Sequence, residues 1–185
     1  MMKKSLSFVM FLFVALFSLV GCGNGDNPKY DKNQKVNAGD VPWEVSMGIN
    51  DYGDRALMIK FTNNSKYVIT ELSLEFALKD NLKDKELEEF YSYLAREYDL
   101  DSEEKEELMS YGVTMDASVY MWDEEDYLQV GDTIEDSLNY GYMYIRTMDY
   151  YDYFKPDIYK IEYLDENGKE CTVYYDYINR TYSNK

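Results

Sequence analysis

Between Val68 and Lys79 the chain alternates between two kinds of residue. Val68, Thr70, Leu72, Leu74, Phe76 and Leu78 fall on one parity, and Ile69, Glu71, Ser73, Glu75, Ala77 and Lys79 on the other. Successive side chains of a strand point to opposite faces, so this run predicts a long strand with one face in a core and the other toward water. A helix would scatter the same apolar residues around its circumference. Just upstream, Leu57, Ile59 and Phe61 alternate with Ala56, Met58 and Lys60. Asn63-Asn64-Ser65-Lys66 between the two runs is a turn signal, and the runs are expected to pair antiparallel. Toward the C-terminus, Tyr159, Ile161 and Tyr163 alternate through one strand and Cys171, Val173, Tyr175 and Tyr177 through the next. Asp165-Glu166-Asn167-Gly168 joins them, and Gly168 can take the positive φ of a tight hairpin turn. Shorter strands are expected near 43–48, 117–122 and 138–146, with a bend at Val130-Gly131-Asp132.

One segment has a different period. From Asp84 to Leu100, the residues Leu87, Phe90, Tyr91, Leu94 and Tyr98 recur at helical spacing, with Lys85, Glu86, Glu88, Glu89 and Arg96 between them. A second short helix is expected to start at Asp101 or Ser102, with acids in its first turn and Leu108 and Met109 as its anchors. The expected fold is therefore mainly β: an Ig-like antiparallel β-sandwich with a short helical insertion over about 84–111. Residues 42–185 are expected to form this single domain, because an Ig-like sandwich takes about 100 residues once the insertion is set aside.

The first residues carry a different message. Met1-Met2-Lys3-Lys4 is followed by an uncharged, mostly apolar run from Ser5 to Val20, then Gly21-Cys22. That run is short for a membrane span, which needs about 20 residues, and it suits the core of a secretory signal. Leu19-Val20-Gly21-Cys22 resembles the lipobox of bacterial lipoproteins. The resemblance implies a signal peptide over 1–21 that is cut between Gly21 and Cys22. It also implies a diacylglyceryl group on the Cys22 thiol, and so a membrane-bound protein on the extracytoplasmic side. Residue 23 is Gly rather than the Asp that retains Gram-negative lipoproteins at the inner membrane. Residues 22–41 are expected to form the lipidated Cys and a flexible tether, because Gly23–Asp40 is nearly devoid of apolar side chains. Fully extended, such a tether would reach at most roughly 60 Å.

Within the expected domain, Phe61-Thr62-Asn63-Asn64-Ser65, the long strand after it, the Val130-Gly131-Asp132 bend and the Tyr163…Gly168…Tyr175-Asp176 hairpin resemble the small Ig-like, FxLYD-type domains of Gram-positive lipoproteins. The resemblance covers most of 54–79 and 127–182 and carries no catalytic residues. The helical insertion departs from it.

Charge and composition narrow the function. The 185 residues hold 19 Lys+Arg against 36 Asp+Glu, a formal charge of −17, with no His and two Cys. Removing 1–21 takes away two lysines and no acid. Binding nucleic acid through its phosphates needs cations, so no nucleic-acid partner is expected. Without His there is no Ser-His-Asp triad, no Cys-His dyad and no His-ligated zinc. If Cys22 is lipidated, Cys171 has no partner; its place in an alternating strand suits a small buried residue, with a reactive thiol as the alternative.

The remaining motifs are weak. Ser102-Glu103-Glu104-Lys105 matches an S-x-x-K string, but without companion motifs it suits a helix start. Asp99, Asp101 and Glu103 begin like an EF-hand loop, yet Glu104 and Ser110 stand where Gly and Glu are required. Asp123-Glu124-Glu125-Asp126 reads as a solvated run, with weak Ca²⁺ collection as the alternative. No metal and no cofactor are expected.

The 21 tyrosines are the most distinctive feature. On an expected 138–146 strand, Tyr140, Tyr142 and Tyr144 share one face, and Asp149 and Asp152 follow. If the other face points inward, these five residues form an exposed surface for a protein or glycan partner, with the acids favouring a cationic one. The alternative is that the tyrosines simply fill β-structure. The expected function is a non-catalytic, membrane-anchored binding module. Alternatives are an inhibitor or immunity lipoprotein that neutralises a cationic enzyme or toxin, and a hydrolase using two carboxylates.

Overall fold

The long alternating run becomes the central strand of the larger of two antiparallel sheets. The computed structural model describes residues 28–110, 114–141 and 143–184. Its strands are β1 (Trp43–Ile49), β2 (Arg55–Thr62), β3 (Val68–Leu78), β4 (Met115–Tyr120), β5 (Thr133–Ser137), β6 (Asn139–Tyr140), β7 (Met143–Tyr144), β8 (Phe154–Leu164), β9 (Glu170–Asp176) and β10 (Thr181–Ser183). One sheet has the order β1-β2-β5, the other β10-β9-β8-β3-β4-β6-β7. They pack as a β-sandwich, the mainly β fold expected. Leu57, Ile59 and Phe61 of β2 face Leu72, Leu74 and Phe76 of β3 and Tyr159 and Ile161 of β8, all buried. Phe61 stacks on Tyr159 at 5.9 Å, and the Tyr159 hydroxyl donates to the Val41 carbonyl at 2.9 Å, so the buried phenol has a partner.

The 68–79 alternation holds from Leu72 to Phe76 and breaks at Thr70. There the register between β3 and β8 shifts, and Ile69 enters the core while Val68 stays half-buried. A bulge of this kind explains why both parities of the run are apolar at its start.

The expected β2–β3 hairpin does not form. β2 pairs with β1 and β5, whereas β3 pairs with β4 and β8. The Asn63–Lys66 link carries the chain from one sheet to the other. Asn63 is buried, and its side-chain amide donates to the carbonyls of Tyr67 and Leu128 at 2.9 and 3.0 Å. Its carbonyl oxygen accepts from the Ser65 N–H and hydroxyl. The Val130–Asp132 bend docks on the same corner: Gly131, at φ 89°, donates its N–H to the Asn63 carbonyl.

The 43–48 and 117–122 strands appear as β1 and β4, and the C-terminal hairpin forms as expected. β8 and β9 pair from Ile158↔Asp176 to Leu164↔Glu170, with Gly168 at φ 73°. Asp165 accepts the N–H groups of Asn167 and Lys169 in that turn. The single 138–146 strand does not form. The chain leaves the smaller sheet at Ser137 and enters the larger one at Asn139, then turns at Gly141 (φ 62°) into the short β6–β7 hairpin.

The helical insertion links β3 to β4, adjacent strands of one sheet. It contains α1 (Asp84–Glu97) and α2 (Ser102–Ser110). Glu86 caps the start of α1 by accepting the Lys83 N–H at 2.8 Å. Asp99, at φ 53°, closes its end. Asp101, not Ser102, caps α2: its carboxylate accepts the N–H groups of Glu103 and Glu104. Phe90, Tyr91, Tyr93 and Leu94 bury the inner face of α1, while α2 leans on the core only through half-buried Leu108 and leaves Met109 exposed.

The packed structure begins before Pro42, within the stretch expected to be tether. Val36, Asn37 and Ala38 are buried, and a 3-10 turn spans Ala38–Asp40. The N–H of Lys29 donates to the Tyr175 hydroxyl at 2.9 Å and that of Ala38 to the Tyr182 hydroxyl at 3.0 Å. Lys35 pairs with Glu166 at 2.7 Å. Three small buried apolar residues, Val36, Ala38 and Val41, and the hydroxyls of Tyr159, Tyr175 and Tyr182 are enough to hold this polar strap, which composition alone does not reveal.

Candidate functional site

Gly21, Cys22 and Tyr142 lie outside the described residues. The rest of the expected tyrosine surface is divided. Tyr140 is fully buried among Phe90, at 5.3 Å, and Phe154, at 6.3 Å, so the exposed stripe expected from a continuous strand does not exist at that position. The pairing of β6 with β4 is the reason: it sets Tyr140 opposite buried Met115 and against Phe90 of α1, where burial pushes its hydroxyl pKa well upward. Tyr144 is half-buried on β7 beside the exposed Tyr52, ring centroids 6.4 Å apart. Its backbone is held by the C-cap of α1, the Tyr98 hydroxyl donating to its carbonyl at 2.8 Å and accepting its N–H. Asp149 and Asp152 are exposed on the 3-10 turn Met148–Tyr153, with Tyr150 and Tyr153 turned toward Phe90 instead. These tyrosines mostly tie the helical insertion to the sandwich.

A more exposed aromatic pair sits at the end of β4. Tyr120 is 54% and Trp122 83% exposed, and their rings stack at 5.8 Å with an interplanar angle of 21°. Met121 between them is buried, its sulfur accepting the Leu128 N–H at 3.3 Å. This inward anchor turns both neighbours outward. Asp123, Glu124, Glu125 and Asp126 follow immediately and are all exposed. The signal was present in the sequence: Tyr120 and Trp122 share a parity around Met121, directly before four acids.

The outer face of the larger sheet continues this acidic surface. Tyr120 stands opposite Glu71, whose carboxylate pairs with Lys160 at 2.6 Å. Farther along, Asp116 of β4, Glu75 of β3, Asp157 of β8 and Asp176 of β9 fall on four adjacent strands. Partial burial, then the neighbouring Asp157 and Asp116, raise the Glu75 pKa. Burial alone raises that of Asp116, and burial together with Asp176 raises that of Asp157. Carboxylates that resist ionisation beside one another are relieved by an incoming cation.

Cys171 is a free thiol, half-buried opposite Tyr163. Burial, and then the neighbouring thiol, push the Tyr163 hydroxyl up to about 12. Among the described residues no group of three or more Asp, Glu, Cys or His side chains is placed to hold a metal ion. Among those residues no helix is long and apolar enough to cross a membrane.

No known family model, curated protein or solved structure matches the chain.

Proposed function

We propose that the protein is a lipid-anchored extracytoplasmic lipoprotein whose folded part is a non-catalytic module for binding a cationic partner. The lipobox-like Leu19-Val20-Gly21-Cys22 supports the anchor, because one acyl chain holds weakly and two hold stably. The observation that carries the binding reading is the solvent-facing Tyr120–Trp122 stack beside Asp123–Asp126. Exposed aromatic rings offer large contact area and cation–π attraction to Arg or Lys, and the adjacent acids steer such a partner in. The same acidic surface favours, as a narrower version, an inhibitor or immunity lipoprotein that covers a cationic enzyme or toxin. The FxLYD-type resemblance fits this role, since it brings a scaffold without catalytic residues.

Two measurements test the two halves separately. Cys22→Ala is expected to move the protein from the membrane to the soluble fraction; retention in the membrane would remove the anchor. For the surface, Trp122 fluorescence is expected to respond to an arginine-rich peptide at low salt. In Tyr120→Ala with Trp122→Ala, binding followed by calorimetry should weaken by roughly 30-fold, about 2 kcal/mol, as for an interface hot spot. Unchanged affinity in the double variant would reject the site. Response to a neutral oligosaccharide but not to the peptide would reject a cationic partner.

A further inference from the structure

The acidity of the molecule has a local exception among the described residues. A hollow of about 600 Å³ opens between the N-terminal strap and β10, and Lys29, Lys32 and Arg180 line it together with Tyr30 and Tyr182. Its one lining carboxylate, Asp31, is turned to the backbone and accepts the Asn33 N–H at 2.8 Å. Lys29 and Lys32 are exposed and have no carboxylate within ion-pair distance among the described residues. The strap that carries them is fixed, by Lys29 to Tyr175, by Asp31 to Asn37 and by Ala38 to Tyr182. Arg180 stands at φ 53°, in a turn locked by Asp176, which accepts the Asn179 N–H at 2.7 Å. That backbone region favours Gly or Asn, so an arginine there is held at a conformational cost.

Position gives the hollow its meaning. Only residues 23–27 separate Cys22 from Pro28, where the described structure starts, so the two lie at most roughly 20 Å apart along the chain. The packed strap thus replaces a long tether with a short one. The Tyr120–Trp122 ledge lies on β4, four strands from β10, about 19 Å across the sheet at ~4.8 Å per strand. The cationic hollow lies at the β10 edge of this sheet, and the acidic ledge lies well inside it, on β4.

We propose that this hollow seats against the anionic headgroups of the bilayer that holds Cys22, with a lipid phosphate between Lys29, Lys32 and Arg180. The proposal rests on the anchor reading above. A strongly acidic protein is repelled by an anionic membrane everywhere except at such a patch, so the contact orients the molecule and turns the ledge away from the surface. The short link raises the effective concentration of headgroups at the hollow, which lets a few cations suffice.

The test uses the chain from Cys22 to Lys185 with Cys171→Ser, coupled through Cys22 to a maleimide lipid. Coupling fixes the protein to the vesicle whether or not cells lipidate it, so failure here is distinct from failure of the anchor. Acetylation rates of individual lysines are compared on phosphatidylcholine vesicles with and without phosphatidylglycerol. Lys29 and Lys32 are expected to react roughly fivefold more slowly on the anionic vesicles, as about 1 kcal/mol of surface attraction per cation implies, while Lys83 is unchanged. In Lys32→Gln with Arg180→Gln, protection of Lys29 should disappear. Equal rates on both vesicles would overturn the proposal. So would equal protection by inorganic phosphate on neutral vesicles, which would make the ligand a free anion.

Discussion

Replacing Phe90 by alanine is expected to destabilise the protein by roughly 3–5 kcal/mol, as for other large aromatic truncations in a packed core. Phe90 is fully buried on the inner face of α1, and its ring meets Tyr140 at 5.3 Å, Tyr150 at 5.4 Å, Phe154 at 5.5 Å and Tyr91 at 5.6 Å. These partners come from β6, the 3-10 turn, the start of β8 and α1 itself. Truncation therefore leaves a void where four segments meet, and rigid aromatic neighbours close such a void poorly. Urea unfolding should show a lower midpoint with an unchanged slope. A loss under about 1 kcal/mol would mean that the insertion is an appendage rather than part of the core. Met109→Ala on the exposed side of α2 serves as the comparison and should stay within about 0.5 kcal/mol.

The same cluster shows where sequence reading reaches and where it stops. Period-two runs identify β3, β8 and β9, and the helical spacing of Leu87, Phe90 and Leu94 identifies α1, because local geometry dictates which side chains share a face. Strand partners are another matter. Asn63-Asn64-Ser65-Lys66 has the composition of a hairpin turn, and nothing local shows that it passes from one sheet to the other. Tyr140 and Tyr144 share a parity but not an environment, since Gly141 reverses the chain between them. Tyrosine adds to the ambiguity, because its ring suits a core and its hydroxyl suits water. Tyr159 and Tyr175 are buried with their hydroxyls bonded to the strap, whereas Tyr120 and Tyr52 are exposed. The strap was hidden for the complementary reason: Val36 and Val41 are its only strongly apolar side chains, and its polar backbone is satisfied by distant tyrosines. What was legible about the candidate surface was its chemistry, tyrosine beside acid; its location depended on Met121 turning inward.

Asn63→Asp exchanges one NH₂ for one oxygen and is expected to cost roughly 3–5 kcal/mol at neutral pH, as for a buried charge left without a partner. Asn63 is buried at the crossing between the sheets and donates both amide hydrogens, to Tyr67 O and Leu128 O. A carboxylate keeps the acceptor role toward Ser65 but points a second negative oxygen at two carbonyls. Burial and these acceptors disfavour the charged form, so the introduced carboxyl has a folded pKa above its unfolded value of about 3.9. The folded state then binds the extra proton more tightly, and the penalty is fully present above the folded pKa and fades as pH falls through it. The melting-temperature gap between Asn63→Asp and the parent chain should therefore narrow from pH 7 to pH 5. Asn63→Ala, which loses the donors without adding charge, should cost about 2 kcal/mol with no such narrowing. A gap that is constant with pH, or an Asp variant no worse than the Ala variant, would show that the crossing is held by backbone pairing at Gly131 and Leu128 rather than by the Asn63 amide.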